Sequence, residues 1–185
     1  MLSDLLIPLI SVGLAEIGDK TQLALLCLAG KTQKHFSLFL GAMAAFFIVD
    51  GLAVVAGGFI AELVPQYIIK ILSGTLFIGF GISFLLQHLE ENATCDLKQP
   101  FMSAFSMILL SEMGDKTQIA SALFATNYNS YMVMIGVMVG LAIISLVTIQ
   151  LGYHVLKKIH ANLLHKISGI IFILLGLSTI FTLFI

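Results

Sequence analysis

The feature that most constrains this chain is a series of six long apolar stretches separated by short polar interruptions. They cover about residues 5–29, 36–62, 67–87, 101–126, 131–154 and 163–185 of the 185-residue chain. The hydrocarbon core of a bilayer is about 30 Å thick, so a helix needs about 20 mostly apolar residues to cross it. Six such stretches, with almost no sequence left over, predict an all-α integral membrane protein with six transmembrane helices.

The composition agrees with this class and argues against others. Apolar residues make up 59% of the chain and charged residues 10%, whereas soluble domains average about 45–50% and about 25%. Nine Lys and Arg nearly balance ten Asp and Glu, so no nucleic-acid partner is expected. No nucleophile–base set or cofactor motif is present, so we do not expect an enzyme. The two cysteines, Cys27 and Cys95, are expected to be free thiols.

The lysines in the loops and at the ends of the apolar stretches are distributed unequally. Those in the first, third and fifth loops are Lys31, Lys34, Lys98, Lys157, Lys158 and Lys166. The opposite side has only Lys70. Because lysines concentrate in cytoplasmic loops, the sequence predicts that both termini lie on the non-cytoplasmic side. The oligomeric state stays open.

A ten-residue motif occurs twice. The sequence AEIGDKTQLA at residues 15–24 returns as SEMGDKTQIA at residues 111–120, an offset of 96 residues. Each half then has three helices, and an odd number of crossings turns the second half over in the membrane. The sequence therefore predicts two inverted three-helix repeats, at residues 1–90 and 101–185, with a short cytoplasmic linker at 91–100. Such repeats are common in secondary transporters, although a relic of duplication without present use is the alternative.

Each copy of the motif places charged residues deep in an apolar stretch. Glu16 and Glu112 each lie eleven residues into their stretch, which is about 16 Å along a regular helix and near the middle of the membrane. An ionised side chain costs about 2.5–3.5 kcal/mol there. These groups must therefore pair with one another, face a water-filled cavity or hold an ion.

We expect the two copies to form one metal site. Its ligands would be the carboxylates of Glu16, Asp19, Glu112 and Asp115. With the two motif lysines their net charge is −2, which suits one divalent cation. The residues expected to support the ion site are Gly18, Lys20, Thr21, Gln22, Gly114, Lys116, Thr117 and Gln118.

The chemistry of this site narrows the ion without identifying it. A ligand set made only of oxygen suits calcium, magnesium or manganese. On a regular helix Glu16 and Asp19 share a face, and Lys20 is one turn beyond Glu16, but the sequence leaves open whether the helices are broken at Gly18 and Gly114. Crowded carboxylates can also take up protons when the metal leaves. A purely structural network of ion pairs is the alternative.

Asp50 is a further acidic residue inside an apolar stretch, and its counterpart in the second half, at an offset of 95 residues, is Ser145. An acid within the membrane is a functional candidate. We expect Asp50 either to belong to a proton path or, alternatively, to act as a cap or pair with a motif lysine.

The doubled Glu-x-Gly-Asp-Lys-Thr motif, on the first and fourth of six helices, resembles the family catalogued as uncharacterised protein family sixteen. That family includes Golgi and chloroplast manganese/calcium transporters and bacterial MneA-type manganese exporters. The resemblance covers the whole chain and implies cation/proton antiport, with Glu16, Asp19, Glu112 and Asp115 in the two matching motifs.

The length of the chain resembles the bacterial form. The implied role is export of manganese, with calcium as the alternative ion, across the inner membrane in exchange for protons and without a bound cofactor. The rival hypotheses are a passive divalent-cation channel, a proton-coupled small-molecule exporter and a scaffold that transports nothing.

Overall fold

The computed structural model describes residues 2–86, 97, 99–156 and 161–183. This part of the chain contains eight α-helices and no β-strand, which confirms the all-α prediction. The helices are α1 (Leu2–Glu16), α2 (Lys20–Gly30), α3 (His35–Leu63), α4 (Gln66–Leu86), α5 (Pro100–Glu112), α6 (Lys116–Asn127), α7 (Ser130–Leu156) and α8 (Ala161–Phe181).

Among the residues that the structure describes, three segments are individually long and apolar enough to cross a membrane. They are His35–Leu63, Gln66–Leu86 and Ser130–Gln150. The apolar segment Lys166–Phe181 of α8 is shorter. The first and fourth predicted crossings, in contrast, are each divided into two helices of 11 to 15 residues.

These divisions lie within the repeated motif. α1 ends at Glu16 and α2 begins at Lys20, so the regular helix assumed for the spacing of Glu16, Asp19 and Lys20 is wrong. The reason is local: Gly18 has a φ of 85°, which only glycine adopts readily and which ends a helix. Asp19 then caps the next helix by accepting a hydrogen bond from the backbone N–H of Lys20, a favoured role for aspartate.

The helices of the first half pack mainly against those of the second half. α1 lies along α7, α3 lies along α5 and α6, and α4 lies along α8. Glycines bring the backbones close: Gly136 of α7 faces Leu5, and Gly140 faces Leu9. Because the residue numbers increase in the same direction along both helices, α1 and α7 are parallel.

The α4–α8 pair has the opposite direction. Gly74 faces Gly176, and Gly81 faces Gly169. Residue numbers therefore increase along α4 where they decrease along α8, so the two helices are antiparallel. A Cβ on Gly81 would lie 2.6 Å from the carbonyl oxygen of Gly169. The two helices therefore cross at a distance that only glycine permits.

Several predictions concern residues outside the described part of the chain. Lys98, Lys157, Lys158, Cys95 and most of the linker at 91–100 lie there. The expectation for Cys27 was wrong, because Cys27 is disulfide-bonded and is not a free thiol.

Candidate functional site

The two motifs have nearly the same backbone. α5 ends at Glu112 and α6 begins at Lys116, which repeats the break between α1 and α2. Gly114 has a φ of 83° beside the 85° of Gly18. The residues Asp19 and Asp115 that precede the new helices have φ values of −75° and −77° with a ψ of 168°. Each break therefore presents a helix C-terminus and a helix N-terminus to the same region.

A glutamine braces each break. The backbone N–H of Gly18 donates to Oε1 of Gln22, and that of Gly114 donates to Oε1 of Gln118 at 2.6 Å. The amide nitrogens reach neighbouring helices: Gln22 Nε2 donates to Thr148 Oγ1 at 2.8 Å, and Gln118 Nε2 donates to the carbonyl of Val49 at 3.3 Å. The structure thus uses these glutamines, which we expected from the sequence to support the ion site, to anchor the breaks.

Glu112 connects the two motifs. Its carboxylate is 2% exposed and accepts hydrogen bonds from Thr21 of the first motif and from Thr117 of the second at 3.1 Å. Thr21 Oγ1 also lies 3.1 Å from Ser111 Oγ. The predicted meeting of the two copies therefore occurs through α2 and α5, with Thr21 at the contact.

Glu16 has the opposite character, although it is the equivalent residue. It is 3% exposed, and neither of its carboxylate oxygens has a hydrogen-bond partner. Buried polar groups are almost always hydrogen-bonded, and one without a partner requires an explanation such as an ion or a functional role. Both carboxylate oxygens of Glu16 are thus buried and available to coordinate a metal ion.

The acidic residues share one electrostatic environment. Glu112, Asp19, Asp115 and Asp50 all lie within electrostatic range of Glu16, and Asp19 lies within that range of Asp115. Within the described ranges, however, no three Asp, Glu, His or Cys side chains are grouped closely enough to hold a metal ion. The structure therefore brings the two motifs together without gathering their acids into a closed cage.

The two motif lysines differ. Because residues 17–19 interrupt the helix, Lys20 does not lie one helical turn beyond Glu16, and it is exposed. Lys116 is half-buried, and its Nζ lies 5.2 Å from the centre of the Phe84 ring of α4. This distance is within the range of cation–π attraction.

Asp50 of α3 is buried at 3% exposure and accepts a hydrogen bond from Ser121 of α6 at 2.7 Å. Ser121 was not predicted. Its equivalent in the first half is Leu25, so both members of this pair depart from the repeat. The sequence signal for Ser121 would have been a polar residue in one half whose equivalent residue in the other half is apolar.

Comparison with known proteins gives a consistent result. The model of the family described as "Divalent cation/proton antiporter GDT1" matches residues 4–92 and 100–184. A Vibrio cholerae protein named "Putative manganese exporter" is 28% identical, over 98% of this chain and 92% of its own length.

Two further relatives carry the family name. A GDT1-like protein of Schizosaccharomyces pombe is 28% identical over 88% of this chain and 76% of its own length. A GDT1-like protein of Synechocystis is 24% identical over 94% and 95%. No solved structure matches the chain with significance.

Proposed function

Since this chain belongs to the family of the divalent cation/proton antiporter GDT1, we propose that it exports manganese in exchange for protons, with calcium as the alternative ion. The manganese assignment is supported by a relative named a manganese exporter that matches 98% of the chain. It is also supported by a candidate ligand set made of oxygen, which suits manganese and calcium.

One observation carries the proposal: the carboxylate of Glu16 is buried without a hydrogen-bond partner, within electrostatic range of Glu112. In our proposal the metal binds to Glu16 and Glu112 with Asp19 and Asp115 completing the set. Thr21 and Thr117 already donate to Glu112, so their hydroxyls would reorient to offer oxygen to the ion. Closing the site requires α1 to approach α5, because the acids are not gathered around one point in the described ranges.

Exchange follows from competition at these carboxylates. A carboxylate binds metal only in its deprotonated form, so metal binding releases protons and proton binding releases metal. Asp50 lies within electrostatic range of Glu16 and Glu112, and its hydrogen bond to Ser121 holds it at α6. We assign Asp50 to the path by which protons reach and leave the site.

We further propose that the eight helices form six crossings in two inverted repeats, residues 1–90 and 101–185, joined by the linker 91–100. In this arrangement α1–α2 and α5–α6 are each one broken crossing. The parallel α1–α7 contact, the antiparallel α4–α8 contact and the repeated backbone of the breaks support it. Broken helices are tolerated at this depth where they line a cavity, and they form ion sites in other transporters.

The proposed location is the inner membrane of a bacterium, with both termini on the periplasmic side. The lysine distribution supports this orientation. The cytoplasmic ends of the crossings would then include the turn from Lys31 to Lys34, and metal would move from that side outward.

The rival functions predict different properties. A passive channel should conduct metal down its gradient without moving protons. A small-molecule exporter should have an apolar and aromatic pocket between the motifs, whereas the contact that joins them here, Thr21 with Ser111 and Glu112, is polar. A scaffold should tolerate loss of the motif acids. The charged contact between two broken helices therefore favours ion exchange.

The test is transport by purified protein in liposomes, with Mn²⁺ flux and internal pH recorded together across several divalent ions. We expect an imposed proton gradient to drive Mn²⁺ uphill and Mn²⁺ to dissipate the proton gradient. Glu16→Gln and Glu112→Gln should each abolish both fluxes. Glu62, an exposed glutamate in the last turn of α3, provides the matched control, and Glu62→Gln should transport normally.

Three results would count against the proposal. Metal flux that is indifferent to pH would favour the channel. Full transport by the Glu16→Gln protein would remove the role of the unpartnered carboxylate. If one of the two glutamates proved dispensable, the shared site would be wrong, and the repeat would have a single working half.

A further inference from the structure

The packing of α4 and α8 breaks the symmetry of the fold. α8 packs against α1, and α4 packs against α6. The repeat pairs α8 with α4, α1 with α5 and α6 with α2, so the equivalent contacts would be α4 on α5 and α8 on α2. Within the described ranges neither of these is a substantial contact. The α4–α8 pair therefore packs against the other helices mainly at the end of the bundle formed by α1 and α6.

That end can be identified without reference to the membrane. Asp4 at the start of α1 lies next to Asn129 in the turn after α6, and Lys70 Nζ donates to the carbonyl of Thr182 just after α8 at 3.2 Å. We call this end, with Asp4, Asn129 and Thr182, the terminal face. The opposite end, with the turn at 31–34, is the loop face.

An aromatic cluster joins α4, α6 and α8 on the terminal side of the motifs. The ring centres of Phe77 and Phe124 are 4.9 Å apart, and Phe172 lies 5.8 Å from Phe77 and 6.3 Å from Phe124. All three side chains are fully buried. Phe124 is eight residues beyond Lys116, about 12 Å along α6 from the break. The cluster thus lies between the break and the terminal face.

A polar contact reinforces this closure nearer the terminal face. Asn127 Nδ2 donates to Ser73 Oγ at 3.0 Å, which ties the end of α6 to the second turn of α4. The motif is also connected, because Phe84, whose ring lies under Lys116, is 5.5 Å from Phe172. A change of charge at the second motif would therefore act on the cluster through Phe84.

The two breaks are covered unequally, as this packing would require. Gly18 is buried and Ile17 half-buried, whereas Gly114 is exposed and Met113 is 67% exposed. Irregular backbone at the middle of a membrane is tolerated only where protein or water covers it. Within the described ranges protein does not cover the α5–α6 break, so we infer that it faces water. Because the terminal face is closed, this water enters from the loop face.

We propose that the α4–α8 pair is the gate of this transporter. It packs here against α1 and is held against α6 by the Phe77–Phe124–Phe172 cluster, so that the terminal face is closed. In the alternative state the pair packs against α5 and α2, covers the α5–α6 break and opens the terminal face. This inference rests on the proposed function for the nature of the cargo, but the movement itself can be measured without metal.

The repeat suggests why the terminal face is the closed one. Phe77 and Phe172 are equivalent residues, 95 positions apart, so they can serve both states. Phe124, in contrast, is equivalent to Leu28 of α2. An aromatic pair is more attractive than its buried area alone accounts for, so the contact with α6 is stronger than its counterpart with α2.

The experiment compares two equivalent positions with a thiol label. Met113→Cys and Ile17→Cys are placed in separate full-length proteins in oriented vesicles without added metal. A membrane-impermeant maleimide is added from either side under non-reducing conditions, and labelling of the protein without an added cysteine is subtracted. Gln33→Cys and Gln66→Cys, at exposed positions near the loop and terminal faces, report which side is reached.

We expect the cysteine at 113 to be labelled much faster than that at 17, and only from the side that labels position 33. Adding Phe124→Leu should raise the labelling rate at position 17, relative to that at position 113, by roughly fivefold. This is the change in equilibrium constant expected from the loss of one aromatic pair. Leu28→Phe, which gives α2 the same aromatic group, is the matched exchange and should shift the ratio of the two rates in the same direction.

Other outcomes would overturn the gate. Absence of label at 113 from either side would mean that the break faces lipid. Equal labelling at 17 and 113, or a ratio that neither exchange changes, would mean that the α4–α8 pair does not move. Each of these results would leave the proposed exchange of metal for protons standing if Glu16→Gln still abolished transport. Normal gate behaviour in a protein that carries no metal would refute the proposed function alone.

Discussion

Glu16→Gln is expected to stabilise the metal-free protein while it abolishes transport. The Glu16 carboxylate is 3% exposed and has no hydrogen-bond partner. An unpaired ionised group at the middle of a membrane costs about 2.5–3.5 kcal/mol, and a buried glutamine amide without partners costs about 1 kcal/mol or more. The difference is a gain of about 2 kcal/mol for the variant under conditions in which Glu16 is ionised.

The gain should depend on pH with a definite sign. The ionised fraction of Glu16 increases with pH, so the unpaired charge destabilises the wild-type protein most in alkaline solution. At acid pH the carboxyl group is protonated and resembles the amide, and the difference should vanish. The assay is thermal unfolding of both proteins in detergent and chelator across a pH series, which should show several degrees of extra stability for the variant only at high pH.

Metal and the equivalent glutamate provide the controls. Mn²⁺ at 100 times its dissociation constant should stabilise the wild-type protein by about 2.7 kcal/mol and leave the Glu16→Gln protein unchanged. Glu112→Gln should bring no gain at any pH, because Glu112 already accepts hydrogen bonds from Thr21 and Thr117. If Glu16→Gln is no more stable than wild type at high pH, or if both variants gain equally, the reasoning from the unpartnered carboxylate is refuted.

Three further predictions follow from the backbone and the topology. Gly81→Ala should lower stability by about 1–3 kcal/mol in chemical unfolding, because its Cβ would lie 2.6 Å from the Gly169 carbonyl. Gly79→Ala, with nothing within 4 Å, should instead raise stability by about 0.5–1 kcal/mol, because alanine favours a helix more than glycine does. Equal effects of the two changes would contradict the close crossing. Gly114→Ala should cost about 1–2 kcal/mol from the positive φ alone, since no atom lies within 4 Å; an unchanged midpoint in the same assay would mean that the break is not required. A reporter active only in the cytoplasm, fused after Ile185, should be silent, and a strong signal would reverse the proposed orientation.

The sequence indicated the helices and the meeting of the motifs more reliably than the local geometry of the site. Apolar length and the repeat are properties of whole segments, so predictions made from them do not depend on the local backbone geometry. The sequence does contain a signal for the first break: Gly18 favours the end of one helix, and Asp19 favours the start of the next. Uninterrupted apolar residues on both sides nevertheless suggested one continuous helix.

Tertiary contacts explain what the sequence could not show. Equivalent residues received unequal surroundings: Glu112 is reached by Thr21 from another helix, and Glu16 has no such donor. Likewise, the Lys116–Phe84 contact depends on where α4 lies, which no spacing along α6 encodes. Periodicity identifies residues that can meet, whereas the choice between two nearly equivalent neighbours is made by packing.

The interleaving of the two halves has a consequence for the origin of the fold. In the part of the chain that the structure describes, α1 packs on α7, α3 on α5 and α6, and α4 on α8, so neither half has there a core that it could keep alone. In the proposed inverted arrangement, a three-helix ancestor could have built this bundle only as a pair of chains, one inserted in each direction. Joining the two genes would then have fixed the ratio of the orientations at one to one. It would also have allowed Asp50, Phe124 and their counterparts to diverge, which identical subunits could not do.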